Sequence, residues 1–140
     1  SLLIFYLKNL FPKNWKILSL NNVSENNLVK ALSRSKIFLS FSNFEGMGIP
    51  PIEAAISGNK VIGYVGGGGF EYWKKPIFIK VENGEIEDFA KKIIKNIKSY
   101  KNNWIRNTRK NRLLLSNYYS KESEKDSMTL LSNKILKFYN

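Results

Sequence analysis

The sequence predicts an α/β fold in which helices cover both faces of a parallel, doubly wound sheet. Short apolar runs typical of buried strands occur at residues 37–39, 60–64 and 76–81, and helical segments separate or follow them. Strands that alternate with helices favour parallel pairing with right-handed crossovers. The composition fits one globular domain, because 43% of the 140 residues are hydrophobic and 14% are aromatic.

The first segments are predicted to be a helix end, a strand and a second helix. Residues 2–10 are apolar and indicate the end of an amphipathic helix that breaks near Pro12. This run is shorter than the roughly 20 residues that cross a bilayer, and it lacks the basic start and cleavage site of a signal peptide. Residues 15–20 are predicted to form a strand, and Ser24 is a suitable N-cap for a helix over 25–35.

The next segment, a strand, a glycine loop and a helix, is the part on which the functional prediction depends. The apolar run at 37–39 predicts the strand, and Gly46 and Gly48 punctuate the loop. Pro50 and Pro51 suit the first turn of a helix, where a missing N–H has no intrahelical partner, and the sequence IEAAIS continues it. Elements in this order hold phosphorylated ligands at the carboxyl edge of a parallel sheet.

Two glutamates flank this loop. Glu45 follows the strand and Glu53 is expected in the first helical turn, so both carboxylates are predicted to face one crevice. A carboxylate repels a diphosphate but accepts hydrogen bonds from sugar hydroxyls, whereas the helix dipole and free amides favour the phosphates. Singly, an acid in a first turn and glycines after a strand are ordinary structural features. The ligand-site prediction therefore depends on their combination.

A second glycine-rich loop follows the strand predicted at 60–64. Four consecutive glycines, Gly66–Gly69, are entropically costly to order, which favours close approach of a ligand over a plain hinge. Another strand is predicted at 76–81, and the helix over about 86–100 has isoleucines and Phe89 on one face and lysines opposite.

From Asn102 onward the sequence predicts helices with a break near Ser120. Their apolar residues favour packing against the sheet or another domain. Contact of these basic, aromatic-containing helices with anionic lipid or with nucleic acid is the alternative to such packing.

Composition excludes several kinds of chemistry. The chain has no histidine and no cysteine, so catalytic triads and thiolate or imidazole metal sites cannot be built, and a reducing, cytoplasmic setting fits. The only aspartates, Asp88 and Asp126, form no D-x-D pair, so we expect no metal and no other cofactor. The net charge of +12 suits an anionic ligand, an anionic membrane surface or nucleic acid.

Glu45 and Glu53 form an E-x7-E pattern within the stretch SKIFLSFSNFEGMGIPPIEAAISGNKVIGY. This stretch resembles the donor-binding core of retaining GT-B glycosyltransferases of the family 4 type, the glycosyl transferases group 1. Weaker similarity extends over most of the chain. The resemblance implies half of a GT-B fold: a Rossmann-like nucleotide-sugar-binding domain at 1–100 that lacks its first strand. Helices at 101–140 would pack on the sheet or toward a missing N-terminal domain.

The resemblance also implies roles for individual residues. Glu53 would bind the ribose hydroxyls, and Glu45, the implied catalytic residue, would orient the transferred sugar. Contacts to the donor sugar and phosphates are implied for Gly46, Met47, Gly48, Gly67 and Gly68, and contacts to the nucleotide for Glu53, Asn22, Val23 and Ser42. On the residues alone, Asn22 and Val23 fit an ordinary asparagine-rich turn before a helix equally well.

The implied function is retaining transfer of a sugar from a UDP-, GDP- or ADP-linked donor to a polysaccharide or glycolipid. We expect a cytoplasmic enzyme with peripheral contact to the anionic inner face of the membrane and no nucleic-acid partner. The chain by itself is expected to be inactive without the acceptor-binding domain and a basic pair that grips the donor diphosphate. Two alternatives are a glycoside hydrolase that uses Glu45 and Glu53, and a basic nucleic-acid-binding module.

Overall fold

A computed structural model describes residues 3, 5, 7, 10–42 and 48–139, with residues 131–139 described as backbone only. Within these ranges, three parallel strands lie in the order β1 (Ile37–Ser40), β2 (Lys60–Gly63) and β3 (Phe78–Lys80). The helices are α1 (Glu25–Arg34), α2 (Ile49–Ile56), α3 (Ile86–Lys98), α4 (Trp104–Asn107), α5 (Arg109–Tyr118) and α6 (Lys121–Tyr139).

The core is divided into two clusters because successive side chains of β2 point to opposite faces of the sheet. Val61 belongs to one cluster and Ile62 to the other, and both are fully buried. The first cluster contains Leu32, Ile52, Ala54, Ala55, Val61, Tyr72, Ile77 and Phe78. The second contains Leu3, Leu7, Ile62, Val81, Phe89, Ala90, Ile93 and Ile97. Helices thus cover both faces of the sheet, which confirms the predicted Rossmann-like α/β fold.

Helix α3 shows the predicted amphipathic pattern, because Phe89, Ile93 and Ile97 are buried while the lysines lie on the outer side. Its first turn contains Glu87 and Asp88, and its last turn is basic, so both ends complement the helix dipole. Salt bridges connect Lys91 with Glu87 and Lys92 with Asp88 one turn apart.

The strand predicted at residues 15–20 is wrong. This segment pairs with none of the three strands, and its Ile17 and Leu18 side chains are 42% and 63% exposed. An apolar run becomes a strand only where its backbone N–H and C=O groups find a neighbouring strand. The other predicted elements among the described residues agree with the structure to within a few residues, including the break near Ser120.

Asn59 fixes the two helices α1 and α2 at the edge where the strands begin. It immediately precedes β2 and is 0% exposed. Its Nδ2 donates hydrogen bonds to the carbonyl oxygens of Leu32 in α1 at 2.9 Å and of Ala54 in α2 at 3.1 Å. One amide group therefore satisfies carbonyls of both helices.

The helices α4 and α5 pack on the face of the sheet that α2 covers. Trp104 Nε1 donates a hydrogen bond to the carbonyl oxygen of Gly58, and Leu115 and Tyr119 pack against the cluster that contains Val61. Lys60 Nζ lies 3.0 Å from Asn96 Oδ1 and 4.3 Å from the centre of the Trp104 ring. Burial lowers the pKa of Lys60 in this position.

We predict that Asn59→Asp lowers the free energy of unfolding by roughly 3 kcal/mol, since a carboxylate cannot donate to two buried carbonyls and is itself costly to bury. Urea unfolding followed by circular dichroism measures this change. Asn27→Asp is the matched control, because Asn27 is exposed near the start of α1. Equal midpoints for the two variants would contradict the assigned role of Asn59.

Candidate functional site

The three strands end level with one another, so their exit loops emerge at one edge of the sheet. Ser40 pairs with Gly63, and Gly63 pairs with Lys80, in continuous parallel register. Ser42 follows β1, and Gly66–Gly69 follow β2. Ligands of open α/β sheets bind at this carboxyl edge.

Strands β1 and β2 approach most closely at this edge. A Cβ atom on Gly63 would collide with the carbonyl oxygen of Ser40, so only glycine fits at this position. The next residue, Tyr64, donates its backbone N–H to the same carbonyl at 3.1 Å. The starting point of the β2 exit loop is therefore fixed by the backbone.

An aromatic cluster fixes the beginnings of both loops on the α3 side. Phe41 follows β1, Tyr64 follows β2, and their rings lie 5.2 Å and 5.4 Å from the ring of Phe89. Phe89 is almost fully buried, so it serves as a rigid support for these two loop residues.

Helix α2 begins at the carboxyl edge with an unusual N-cap. Gly48 adopts a left-handed conformation with φ 63° and ψ 55°, and the helix starts at Ile49. Pro50 and Pro51 occupy the first turn, as predicted, and have no N–H to offer. The amides of this helix end that have no intrahelical partner are therefore those of Gly48 and Ile49.

The prediction that Glu53 lies in the first helical turn is wrong. Because α2 already begins at Ile49, Glu53 is in the second turn, and the first turn contains no acidic residue. The reason is local: proline has the φ angle of a helix, and the left-handed Gly48 lets the helix start immediately before the prolines. Glu53 is exposed, and no ion pair links it to another described residue.

A tyrosine ties the second glycine loop to the start of α2. Tyr72, 7% exposed, donates its hydroxyl to the carbonyl oxygen of Gly48 at 3.0 Å. Tyr72 and Trp73 also donate their backbone N–H groups to Gly69, where a Cβ atom would collide with the carbonyl oxygen of Val65. The tight turn at Gly66–Gly69 is thereby held next to the helix N-terminus.

The sequence pattern did not single out Tyr72. A signal was present, because a tyrosine that packs in a core needs a partner for its hydroxyl, and a glycine-rich turn brings carbonyl groups within reach. The partner, however, is 24 residues away in the chain, at Gly48.

The structure places the predicted site residues as follows. Gly48, Gly67, Gly68 and Ser42 lie in or beside the carboxyl-edge loops, and both Gly67 and Gly68 are exposed. Asn22 and Val23 are exposed before α1, and Asn22 has a positive φ of 52°. The predicted contributions of Glu45, Gly46 and Met47 lie outside the described residues.

Three clefts of about 600 to 610 Å³ open on the described surface. The first lies between Leu10 and α3, and the second is rich in arginine. The third is lined by tyrosines, among them Tyr72. Neither Glu53 nor Gly67 lines any of them.

Within the part of the chain that the structure describes, no three acidic side chains come together in a way that could hold a metal ion. None of the described helices combines the length and the apolar character needed to traverse a bilayer.

We predict that Tyr72→Phe lowers the free energy of unfolding by about 1 kcal/mol, because the Gly48 carbonyl loses a hydrogen bond. Chemical unfolding measures the loss. Tyr118→Phe is the control and should stay within about 0.5 kcal/mol, since the Tyr118 ring is 65% exposed. An equal loss in both variants would show that the Tyr72 hydroxyl does not fix the glycine loop.

Comparison with known proteins identifies the family of this chain. A family model described as "Glycosyl transferases group 1" matches residues 9–111, which is more than half of the 140 residues. No curated protein and no solved structure is detectably similar. The matched region contains the three described strands, the β2 exit loop and the start of α2. The chain therefore belongs to the glycosyl transferases group 1 family.

Proposed function

We propose that the chain is the nucleotide-sugar-binding part of a retaining glycosyltransferase that acts on a polysaccharide or glycolipid acceptor. The observation that carries the proposal is that the glycine-rich exit loop of β2 is tied to the N-terminus of α2 at the carboxyl edge of a chain from this family. Such an edge combines backbone amides with space for a ligand to approach closely.

The donor diphosphate is proposed to lie against the start of α2. Gly48 and Ile49 contribute free amides there, and the exposed glycines Gly67 and Gly68 let phosphate or sugar approach the backbone of the opposite loop. Because two prolines remove N–H groups from this helix end, the amides alone bind an anion weakly. We therefore propose that a basic pair on a further strand of the same domain completes the diphosphate site.

The glutamates are proposed to bind hydroxyl groups rather than phosphate. Glu53, one turn further along α2, would accept hydrogen bonds from the ribose, and its exposure leaves both carboxylate oxygens available. Glu45 would orient the transferred sugar. Further contacts are proposed from Gly46 and Met47 to sugar and phosphate, and from Asn22, Val23 and Ser42 to the nucleotide.

In the proposed reaction, the bond between the anomeric carbon and the diphosphate oxygen breaks, and an acceptor hydroxyl oxygen bonds to the same face of the sugar. The hydroxyl proton passes to the leaving phosphate. The protein contributes by binding the negative charge that develops on the diphosphate and by orienting the sugar, without a metal ion. Turnover is proposed to need the acceptor-binding domain, so binding is the property to test.

We predict that UDP, GDP or ADP raises the melting temperature of the chain, because a ligand at about 100 times its Kd adds about 2.7 kcal/mol of stability. Glu53→Ala should weaken this binding about tenfold while the unliganded melting temperature stays unchanged, since Glu53 is exposed. Glu87→Ala is the control, because Glu87 forms only an exposed salt bridge on α3.

Differential scanning fluorimetry with nucleoside diphosphates and with oligonucleotides distinguishes a nucleotide-sugar site from a nucleic-acid-binding module. A shift with oligonucleotides and none with nucleoside diphosphates would favour the basic nucleic-acid module. Equal affinities of the Glu53→Ala and Glu87→Ala variants would remove Glu53 from the nucleotide site.

A further inference from the structure

A basic cleft of about 610 Å³ lies between the end of α2 and the helices α4 and α5. Its lining residues are Ile56, Asn102, Ile105, Arg106, Arg109, Arg112, Leu113 and Ser116. Three of these carry a positive charge, and no acidic side chain is among these lining residues. The cleft is at the carboxyl-terminal end of α2, whereas the candidate donor site is at its amino-terminal end.

Arg112 is held in place as one wall of this cleft. Its Nη2 donates to the carbonyl oxygen of Ile105 at 2.6 Å, and its Nη1 lies 3.4 Å from the carbonyl oxygen of Ile56, the last residue of α2. Both partners are uncharged, so the positive charge of the guanidinium is not neutralised. Its Nε is buried without a hydrogen-bond partner among the described residues.

Arg106 and Arg109 are exposed at the same cleft, and neither forms a salt bridge with a described residue. Arg109 and Arg112 are three residues apart on α5, so their side chains are neighbours on the helix surface. Like charges at this spacing destabilise a helix slightly. A bound anion would remove this repulsion, which makes the cleft a candidate for anion recognition.

We infer that this cleft binds the phosphate group of a ligand other than the sugar donor. Guanidinium groups present planar pairs of N–H donors that match phosphate oxygens, and a pre-positioned arginine loses less conformational freedom on binding. Asn102 and Ser116 add neutral hydrogen-bonding groups to the lining. Either a soluble phosphate compound or an anionic lipid headgroup supplies this chemistry. The inference does not depend on the proposed sugar transfer.

The test uses two probes at constant ionic strength: inorganic pyrophosphate by isothermal titration calorimetry, and sedimentation with phosphatidylglycerol–phosphatidylcholine vesicles. The variant is Arg106→Gln/Arg109→Gln, which leaves Arg112 and its carbonyl contacts in place. We expect binding of at least one probe to weaken about tenfold per arginine, or about a hundredfold in total. Circular dichroism melting checks that the variant is folded.

The matched control is Lys95→Gln/Lys98→Gln, which removes the same charge from the outer side of α3, where both lysines line a different cleft. It should keep the affinity of the unmodified chain, because neither lysine lines the arginine cleft.

Loss of pyrophosphate binding only in the arginine variant supports the site with a soluble ligand. Loss of vesicle binding alone, with neutral vesicles inactive, supports it with a lipid headgroup. Absence of binding to both probes overturns the inference, as does equal weakening in the arginine and lysine variants.

Discussion

The parallel pairing of β2 with both of its neighbours is the constraint on which the rest of this structure depends. Because Ser40, Gly63 and Lys80 are level in register, every exit loop begins at the same edge. The close approach at Gly63 fixes where that edge lies, since any side chain there would push β1 and β2 apart. The Tyr72 hydroxyl then connects the β2 exit loop with the start of α2. The candidate site is thus built from backbone positions that the sheet has already fixed.

The opposite edge of the sheet has a different character. There Asn59, Trp104 and Arg112 each donate hydrogen bonds to backbone carbonyls at or beyond a helix end, so side chains add to the backbone hydrogen bonds at these helix ends. These contacts attach α4 and α5 to α2. They also bring arginines together next to the carboxyl-terminal end of α2. The two ends of α2 therefore differ: backbone amides lie at the amino-terminal end and guanidinium groups at the carboxyl-terminal end.

Local patterns in the sequence were sufficient to predict the α/β fold, the three described strands and the amphipathic α3. The apolar run of a buried strand and the helical spacing of apolar residues in α3 both depend on residues that are close together in the chain. The strand predicted at 15–20 failed since pairing depends on a distant partner. The position of Glu53 was wrong by one turn because the conformation of a single glycine, Gly48, decides where α2 begins. The Tyr72 tether and the arginine cleft join residues far apart in the chain, so they required the tertiary structure.

A nucleoside diphosphate is proposed to bind at the carboxyl edge of this sheet. The most direct measurement is a titration of the isotope-labelled chain with UDP, GDP and ADP, followed by backbone amide chemical shifts in two-dimensional NMR spectra. If the diphosphate binds at the carboxyl edge, the largest saturable shifts are expected at Gly48, Ile49, Gly67 and Gly68, with little change at Gly58 and Asn59. Largest shifts at Gly58, Asn59 or the arginines of α4 and α5, with the carboxyl-edge amides unchanged, would contradict it.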